Sequence, residues 1–156
     1  MDTISIGNTI IGDDQPTFVI AEAGNNHNND LDIAKKMIDV TADAGADAIK
    51  FQLSKARDTY VESSGSVEYL DDEREIFDIV EEMELPATWI PELHEYCREN
   101  DILFLTTPFD TNSVNLLMDY VPAYKIASYT LSHHPFLKHV ANTGKPVIMS
   151  TGAHSL

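Results

Sequence analysis

The chain contains a single cysteine, Cys97, so it cannot form a disulfide within itself. Basic residues are also scarce: ten lysines and arginines are set against 26 acidic residues, which gives a formal net charge of −16. Nucleic acid and anionic membranes are not attracted to such a surface, so neither is expected as a partner. Cys97 lies among Leu93, Tyr96 and Leu103, a setting typical of a buried structural thiol rather than of a nucleophile.

Long apolar stretches are absent as well. No run is long enough to span a bilayer, and residues 1–6 lack the basic and apolar segments of a signal peptide. We therefore expect a cytoplasmic chain, and its length of 156 residues suits one globular domain. The scattered acidic residues and the few lysines also suit a protein adapted to high salt, which is a hypothesis about its source.

The chain instead contains a regular alternation of apolar strands and amphipathic helices. Residues 4–12 alternate in polarity on both sides of Gly7-Asn8, which predicts a hairpin within residues 1–16 that covers one end of the domain. The remaining residues, 17–156, predict five β/α units. Predicted strands occupy residues 18–22, 47–53, 102–107, 123–128 and 146–151; predicted helices occupy residues 30–44, 91–100, 111–119 and 135–144, with one more around residues 76–83.

The predicted fold class is α/β. Five strands that are nearly continuous in apolar residues, each separated from the next by helices, indicate a parallel sheet covered on both faces. An open doubly wound sheet and a barrel both fit this pattern. Because Gly24 is followed by Asn25-Asn26-His27, the glycine-rich dinucleotide fingerprint is missing. We therefore favour a TIM-type (β/α)8 barrel, incomplete here with about five of its strands.

Charged side chains inside or at the end of these apolar strands are the first candidates for chemistry. Glu22 ends the first predicted strand, and alternation places Lys50 and Gln52 on one face of the second strand. Lys125 lies inside the fourth strand. A buried lysine needs an anion, a carboxylate or water, so an internal salt bridge, for instance to Glu22, is an alternative. Two lysines on separate strands favour an anion site.

Other candidates have weaker support. Ser128 and Ser150 follow strands and could donate to phosphate or carboxylate oxygens. His27 is either a hydrogen-bond donor in the site or a solvent-exposed cap. Phe109 and Asp110 could line the site, or Asp110 caps the helix at Thr111. Residues 54–65 are polar and too long for a simple connection, which indicates a functional loop over the site or a mobile segment.

Five stretches of this sequence, taken together, closely resemble the sialic acid synthase family. That family includes the N-acetylneuraminate synthases and the relatives that make legionaminic, pseudaminic or spore-coat sugars. The resemblance extends over nearly the whole chain from Phe18, in order and with similar spacing. The stretches are IAEAGNNHNND at 20–30, AGADAIKFQ at 44–52, TPFD at 107–110, VPAYKIAS at 121–128 and GKPVIMSTG at 144–152.

The resemblance implies an eight-stranded barrel that condenses phosphoenolpyruvate with an N-acetylated sugar, typically N-acetylmannosamine, and releases phosphate. It also implies a divalent metal, Mn²⁺ or Mg²⁺, that polarises the sugar aldehyde; its ligands are not expected in this chain. From their positions in the matching motifs, Glu22, Lys50 and Lys125 would be catalytic, and Glu22 and Gln52 would bind the sugar. The residues that would hold phosphoenolpyruvate are Lys50, Lys125, Ser128 and Ser150; His27 and Asp110 are further substrate-binding candidates.

The chain departs from the family pattern at one chemically important position. Two residues after Ser128 the family usually has an acidic side chain, placed to act as a general base towards the reacting water. Here that residue is Thr130. A threonine cannot act as a general base near neutral pH. His133 or His134 could substitute, although adjacent histidines before a helix are more typical of capping or surface positions than of a metal site.

The second departure is length. The sequence stops after the fifth predicted strand, before the strands that supply the metal-binding histidines of the family and before its small antifreeze-like domain. We expect either a fragment or a short product that closes its sheet by self-association. Unpaired outer strands favour a homo-oligomer.

Two other functions fit the sequence. One is another phosphoenolpyruvate-using barrel synthase or aldolase, such as a keto-deoxy sugar acid synthase, and a panel of acceptor sugars would separate it from the first reading. The other is an inactive fragment that acts as a binding or assembly module. Metal-dependent phosphate release would exclude that module.

Overall fold

The computed structural model describes residues 3–63, 65–66 and 74–152. It contains a two-stranded antiparallel hairpin followed by a five-stranded parallel sheet. The hairpin strands are β1 (Ile4–Ile6) and β2 (Thr9–Ile11). The parallel strands are β3 (Ile20–Gly24), β4 (Ala48–Leu53), β5 (Leu103–Pro108), β6 (Tyr124–Ile126) and β7 (Val147–Met149).

Helices connect the parallel strands and cover the outer face of the sheet. They are α1 (Leu31–Asp43), α2 (Ala56–Thr59), α3 (Ile76–Glu82), α4 (Ile90–Glu99), α5 (Thr111–Leu117) and α6 (His134–Ala141), with 3₁₀ turns at Ala87–Trp89 and Ser128–Thr130. Among the described residues, no helix is both long and apolar enough to cross a membrane.

The order of the strands decides between the two architectures that the sequence left open. The parallel strands lie side by side in chain order, β3-β4-β5-β6-β7, with no reversal. A doubly wound sheet reverses its order at a switch point, whereas a β/α barrel adds each strand beside the one before it. The sheet is therefore the arrangement of a TIM-type barrel, and the predicted hairpin and five parallel strands are confirmed.

The hairpin covers the amino-terminal end of the parallel strands, as the sequence predicted. Ile6 is buried and packs with Ala48, Leu105 and Ala123 in a small inner cluster. Gly7 adopts a left-handed conformation with φ of +58°, and a Cβ at this position would lie 3.1 Å from Leu103 Cδ2. With that end closed, the carboxyl ends of the strands form the open mouth.

The first parallel strand begins and ends two residues later than predicted. Val19 precedes β3: its amide donates to the side chain of Asp47 at 2.6 Å, and its carbonyl accepts from the amides of Asp47 and Ala48. At the other end, β3 continues past Glu22 and its register with β4 shifts between Glu22 and Gly24, where φ is +55°. Glu22 therefore lies within the strand rather than at its last residue.

Cys97 is fully buried in the main core, between the sheet and the helices, as the sequence predicted. Burial raises the pKa of its thiol to about 12. The thiol therefore stays protonated near neutral pH and acts as a small apolar group.

Candidate functional site

Parallel pairing brings the predicted polar residues together at the carboxyl ends of the strands. Glu22 of β3 lies opposite Lys50 of β4, and Gln52 of β4 lies opposite Thr107 of β5. Side chains alternate along β4, so Phe51 points into the helix-side core while Lys50 and Gln52 point to the other face. The face predicted from the sequence for Lys50 and Gln52 is therefore the observed one.

Lys50 and Glu22 form an ion pair, so the internal salt bridge that was the alternative to an anion site is present. Lys50 Nζ also lies 3.4 Å from Thr107 Oγ1, and Gln52 Nε2 lies 3.4 Å from Glu22 Oε1. Lys50 is 8% exposed, whereas 49% of the Glu22 side chain is exposed. Glu22 is thus held by two neighbours and still presents oxygen atoms to solvent.

Lys125 has a different environment. Its Nζ donates to Ser150 Oγ at 2.6 Å and to the carbonyl of Ile126 at 2.9 Å, and it makes no ion pair within the described residues. Burial and then the positive charge of Lys50 lower the pKa of Lys125, and Glu22 offsets this in part. A negatively charged ligand between the two lysines would relieve that repulsion.

Ser150 lies beside this second lysine, and Ser128 lies beside Gly152, two residues further along the chain from Ser150. Ser150 accepts the hydrogen bond from Lys125, and a Cβ built on Gly152 would lie 3.7 Å from Ser128 Oγ. The segments that follow β6 and β7 therefore approach each other closely. Hydroxyl groups beside a lysine form the kind of donor set that binds phosphate or carboxylate oxygens.

His27 lies apart from these residues. It is fully buried, so the alternative of a solvent-exposed cap is wrong. Its ring packs against Phe51 and Trp89, with centroids 6.4 and 5.8 Å away, on the helix side of the sheet. Nδ1 accepts from the amide of Asn29 at 3.1 Å, while Nε2 is buried without a hydrogen-bond partner among the described residues. His27 thus shapes the loop between β3 and α1.

Asp110 caps α5, which was the second of its two predicted roles. Its Oδ1 accepts from the amide of Ser113 at 2.9 Å and its Oδ2 accepts from the Ser113 hydroxyl at 2.5 Å. His133 caps α6 in the same way, because its Nδ1 accepts from the amide of Phe136 at 3.0 Å. The capping role predicted for this histidine is therefore confirmed.

Thr107 and Tyr129 were not chosen from the sequence, whereas Phe109 was considered as a residue that could line the site. Thr107 is buried beside Lys50 and opposite Gln52, a position that is set by the pairing of β4 with β5. Phe109 and Tyr129 stack at the same edge of the sheet. That pair joins segments twenty residues apart, so no local pattern indicates it.

The donor set does not fit a divalent cation. Within residues 3–63, 65–66 and 74–152, no three side chains of histidine, cysteine, aspartate or glutamate come together as metal ligands. Glu22 is already engaged by Lys50, and His27 faces the helix layer. The described residues offer hydrogen-bond donors and positive charge, which suit an anion.

The polar segment after β4 is anchored by one partly buried carboxylate. Glu84 Oε2 accepts from Lys55 Nζ at 2.5 Å and its Oε1 accepts from the amide of Ala56 at 2.7 Å. This anchor fixes α2, which lies within the polar segment 54–65; Ser64 lies outside the described residues. The segment is therefore tied to the end of α3 rather than free at its start.

Replacing Glu84 by alanine is expected to loosen this segment. The change leaves the buried amide of Ala56 unpaired, which costs about 1–3 kcal/mol. Limited proteolysis with trypsin checks this, since cleavage after Lys55 or Arg57 should become several-fold faster. Glu81→Ala, an exposed position on α3, is the matched control. Equal cleavage rates in Glu84→Ala and the unsubstituted chain would contradict the anchoring role.

The stability of the chain is expected to depend on His27 in mildly acidic solution. Burial lowers the pKa of His27 from its ordinary value of 6.5, so the folded state holds the ring neutral and the unfolded state binds the proton more readily. The contribution of neutral His27 to the free energy of unfolding is fully present above pH 6.5 and decreases as the pH falls through the lowered pKa of the folded state. Urea unfolding at about pH 7.5 and about pH 5 measures it.

His27→Gln should show a smaller loss of stability between these two pH values than the unsubstituted chain. His134→Gln is the control, because His134 is exposed at the start of α6. The carboxylates contribute equally to all three proteins, so they cancel in the comparison. An identical pH dependence in His27→Gln and the unsubstituted chain would rule out this role for His27.

Comparison with known proteins places these residues in a family context. A profile described as "NeuB family" matches residues 37–156. The spore coat polysaccharide biosynthesis protein SpsE of Bacillus subtilis is 45% identical over 153 residues, which cover 97% of this chain and 41% of SpsE. The N,N'-diacetyllegionaminic acid synthase of Campylobacter jejuni is 39% identical over 90% of this chain and 43% of its own length. The chain thus spans less than half the length of either relative.

Solved structures agree with the fold. The N-acetylneuraminic acid synthetase of Leptospira borgpetersenii superposes with a TM-score of 0.88 at 37% identity, over 99% of this chain and 51% of that one. A truncated 3-deoxy-D-arabino-heptulosonate 7-phosphate synthase from Thermotoga maritima has a TM-score of 0.69 at 12% identity, over 99% of this chain and 47% of that one. At that identity the second similarity concerns the fold alone.

Proposed function

This chain belongs to the NeuB family, and we propose that it forms the phosphoenolpyruvate-binding half of a synthase that joins phosphoenolpyruvate to an N-acetylated sugar and releases phosphate. The observation that carries the proposal is the pair of lysines at the carboxyl ends of the strands. Glu22 compensates the positive charge of Lys50, whereas Lys125 has only neutral hydrogen-bond acceptors within the described residues. In this proposal residues 1–156 form part of one synthase barrel domain.

The proposed ligand matches the charge of the site. Phosphoenolpyruvate has a phosphate group and a carboxylate, so it offers two anionic groups to two lysines. Lys125 and Ser150, already joined by a hydrogen bond, would bind one anionic group together with Ser128. Lys50 and Thr107 would bind the other. Charge-assisted hydrogen bonds of this kind favour the protonated lysines and offset the repulsion between them.

Glu22 and Gln52 would bind the sugar. Half of the Glu22 side chain is exposed, and its position is fixed by Lys50 on one side and Gln52 on the other. A carboxylate accepts hydrogen bonds from sugar hydroxyl groups, and an amide can both donate and accept. In the proposed reaction, the methylene carbon of phosphoenolpyruvate bonds to the sugar aldehyde carbon, water adds to the neighbouring carbon, and phosphate leaves.

Thr130 favours a second candidate function, which is ligand binding without turnover. Its hydroxyl donates to the carbonyl of Ala127 at 2.8 Å, and the residue is buried. A hydroxyl engaged in this way cannot accept a proton from the reacting water near neutral pH. His133 could take that place only with its second ring nitrogen, because Nδ1 caps α6.

Phosphate release distinguishes turnover from binding alone. The chain is incubated with phosphoenolpyruvate, N-acetylmannosamine and Mn²⁺, and inorganic phosphate is measured. Release that requires the sugar supports the synthase. Binding of phosphoenolpyruvate without release supports the binding module, and release that requires a different, non-acetylated aldehyde sugar supports another barrel synthase.

We also propose that copies of the chain associate. Among the described residues, β3 and β7 each pair with one strand only, and 54% of Met149 on β7 is exposed. Open strand edges with apolar side chains favour pairing with another chain. Size-exclusion chromatography with light scattering should therefore give a mass above the 17.4 kDa of one chain. A mass of one chain at all concentrations would contradict this proposal.

A further inference from the structure

The loop between β3 and α1 has a backbone that only its surroundings can maintain. Asn28 and Asn29 both adopt left-handed conformations, with φ of 50° and 54°. Such conformations persist where surrounding contacts fix them. Two of these contacts come from His27, because its carbonyl accepts from the amide of Asp30 at 2.9 Å and its Nδ1 accepts from the amide of Asn29 at 3.1 Å. His27 therefore binds the loop with both its backbone and its side chain.

The His27 ring connects this loop to the strand that carries two residues of the site. The ring is fully buried and packs against Phe51, which stands between Lys50 and Gln52 on β4. Its other ring neighbour is Trp89, in the 3₁₀ turn before α4. The loop therefore cannot shift relative to β4 without disturbing this packing.

At its other end the loop lies against the polar side chains of the site. Gly24 ends β3 with φ of +55°, where the register with β4 shifts. A Cβ built on Gly24 would lie 3.3 Å from Glu22 Oε1 and 3.6 Å from Gln52 Nε2. These are the two atoms that contact each other, at 3.4 Å. The backbone at the start of the loop therefore forms a wall beside the contact between Glu22 and Gln52.

The two ring nitrogens of His27 indicate which property of the residue matters. Because Nδ1 accepts a hydrogen bond, the proton of the neutral ring lies on Nε2, and Nε2 is buried without a partner among the described residues. An unpaired buried N–H group destabilises the folded state. An apolar ring would fill the same space without that cost. The acceptor at Nδ1 is what an apolar residue cannot supply.

We propose that His27 is a positioning residue. Through Nδ1 it fixes the loop between β3 and α1, and the loop backbone at Gly24 in turn holds Glu22 and Gln52 in the arrangement that receives the second substrate. The inference rests on the function proposed above, because Glu22 and Gln52 are the residues assigned there to the sugar. It gives His27 itself no contact with a substrate.

Protonation of His27 is expected to release the loop, because a proton on Nδ1 turns the acceptor into a donor that faces another N–H group. Burial lowers the pKa of His27 from its ordinary value of 6.5, so the release should have a midpoint below pH 6.5. The ring neighbours Phe51 and Trp89 do not titrate. Lys50 points to the opposite face of β4, and Asp30 is engaged by amides at the start of α1.

Two substitutions separate the acceptor of His27 from its ring. Asparagine carries Oδ1 at the same number of bonds from Cα as histidine carries Nδ1, so His27→Asn keeps an acceptor and loses the ring. His27→Phe keeps a ring and loses the acceptor. If packing alone matters, His27→Asn should disturb the site more, because it leaves a cavity beside Phe51 and Trp89. If positioning matters, His27→Phe should disturb it more.

Amide-detected NMR on the chain without ligand tests the inference at both ends of the loop. Exchange of the Asn29 amide should be about three- to tenfold faster in His27→Phe, the range of one hydrogen bond, and nearly unchanged in His27→Asn. The side-chain amide signal of Gln52 should move in His27→Phe towards its position in Glu22→Ala, where the contact is absent. Phe104→Leu is the control and should move neither signal, because Phe104 also packs against Phe51 but lies on β5.

The pH profile of the Gln52 signal gives a second readout. Between about pH 7.5 and about pH 5 the signal of the unsubstituted chain should move in the direction seen in His27→Phe. His27→Asn should lack this step, because its acceptor does not titrate. A step of equal size in His27→Asn and the unsubstituted chain would overturn the role of the Nδ1 acceptor.

Calorimetry connects the loop to the ligands. With phosphoenolpyruvate present, the affinity for N-acetylmannosamine should weaken about three- to tenfold in His27→Phe and stay within about twofold in His27→Asn. The affinity for phosphoenolpyruvate should stay within about twofold in both variants. Lys125 lies on β6, with β4 and β5 between it and the strand that leads into this loop.

The outcomes separate this inference from the proposed function. The inference is overturned if His27→Asn moves the Gln52 signal as much as His27→Phe does, if His27→Phe leaves the signal in place, or if the signal moves without any loss of sugar affinity. In these cases binding of phosphoenolpyruvate by the unsubstituted chain retains the proposed function. If that chain binds phosphoenolpyruvate but not the sugar, the assignment of Glu22 and Gln52 fails, and the positioning role fails with it. If it binds no phosphoenolpyruvate, the proposed function is overturned, and the NMR signals then describe the fold alone.

Discussion

Replacing Lys125 by alanine is expected to weaken the binding of phosphoenolpyruvate about ten- to hundredfold. The change removes a charged donor that lies 2.6 Å from Ser150 Oγ. Hydrogen bonds to charged groups contribute about 1.5–3 kcal/mol, and about 1.4 kcal/mol corresponds to a factor of ten in affinity. Isothermal titration calorimetry measures the change directly.

A thermal unfolding scan gives an independent measure of the same effect. A ligand present at about one hundred times its Kd stabilises the folded state by about 2.7 kcal/mol, which raises Tm by about 5–11 °C for a chain of this size. At the same ligand concentration the Lys125→Ala chain should gain only about 0.4–1.4 kcal/mol. Lys138→Ala, an exposed lysine on α6, should behave like the unsubstituted chain. An equal rise of Tm in Lys125→Ala and the unsubstituted chain would remove the main support for the anion site.

The pH dependence of this binding has a definite sign. Burial and the charge of Lys50 lower the pKa of Lys125, so the free protein loses this positive charge at a lower pH than an ordinary lysine does. The affinity for phosphoenolpyruvate should therefore begin to fall at a lower pH than the ordinary lysine pKa implies.

The lowered pKa of Lys125 also affects the stability of the free chain. Below the folded pKa, the charged form of Lys125 destabilises the folded state, and this destabilisation disappears as the pH rises towards the ordinary value of 10.5.

Replacing Phe51 by alanine is expected to be the most destabilising of these changes. Phe51 is fully buried on the helix side of β4, with its ring 5.9 Å from that of Phe104 and 6.4 Å from that of His27. Removing such a ring costs about 3–5 kcal/mol, a large part of the total stability of a typical domain. Tm should fall by about 6–20 °C in a calorimetric scan.

The control for Phe51→Ala is an apolar residue of similar chemistry on the surface. Val40 of α1 is 59% exposed, so Val40→Ala should change the free energy of unfolding by no more than about 0.5 kcal/mol. A loss below about 1 kcal/mol in Phe51→Ala would mean that the layer between the sheet and the helices is not packed as described. Because Lys50 precedes Phe51 and points to the opposite face, the folded fraction of the variant should still bind phosphoenolpyruvate.

Most of the fold could be predicted from the sequence because it depends on local patterns. Alternating polarity around Gly7-Asn8 predicted the hairpin, and Asp30 marked the start of α1, where its side chain accepts from the amides of Asp32 and Ile33. Alternation along β4 also predicted which face Lys50 and Gln52 share. The predicted bounds of β3 were two residues early at each end, because they depend on contacts with β4 and on the register shift between Glu22 and Gly24, which local patterns do not contain.

The roles of individual polar residues depended on contacts that local patterns do not contain. Asp110 and His27 were both chosen as candidates for the site by residue type and position. In the structure, Asp110 uses both carboxylate oxygens to cap α5, and His27 packs between Phe51 and Trp89. Thr107 became recognisable only once β4 and β5 were paired in register.

The sequence by itself determined the alternation of strands and helices, the face on which each strand carries its polar side chains, and the family resemblance, since all three are properties of residues near one another in the chain. Only the tertiary structure decided the order of the strands, and with it the barrel arrangement in place of an open sheet. It also decided that Glu22 pairs with Lys50 while Lys125 has neutral partners, and that Phe109 meets Tyr129. The physical reason is that these contacts join strands and loops remote in sequence, and the register of the parallel ladder brings them together.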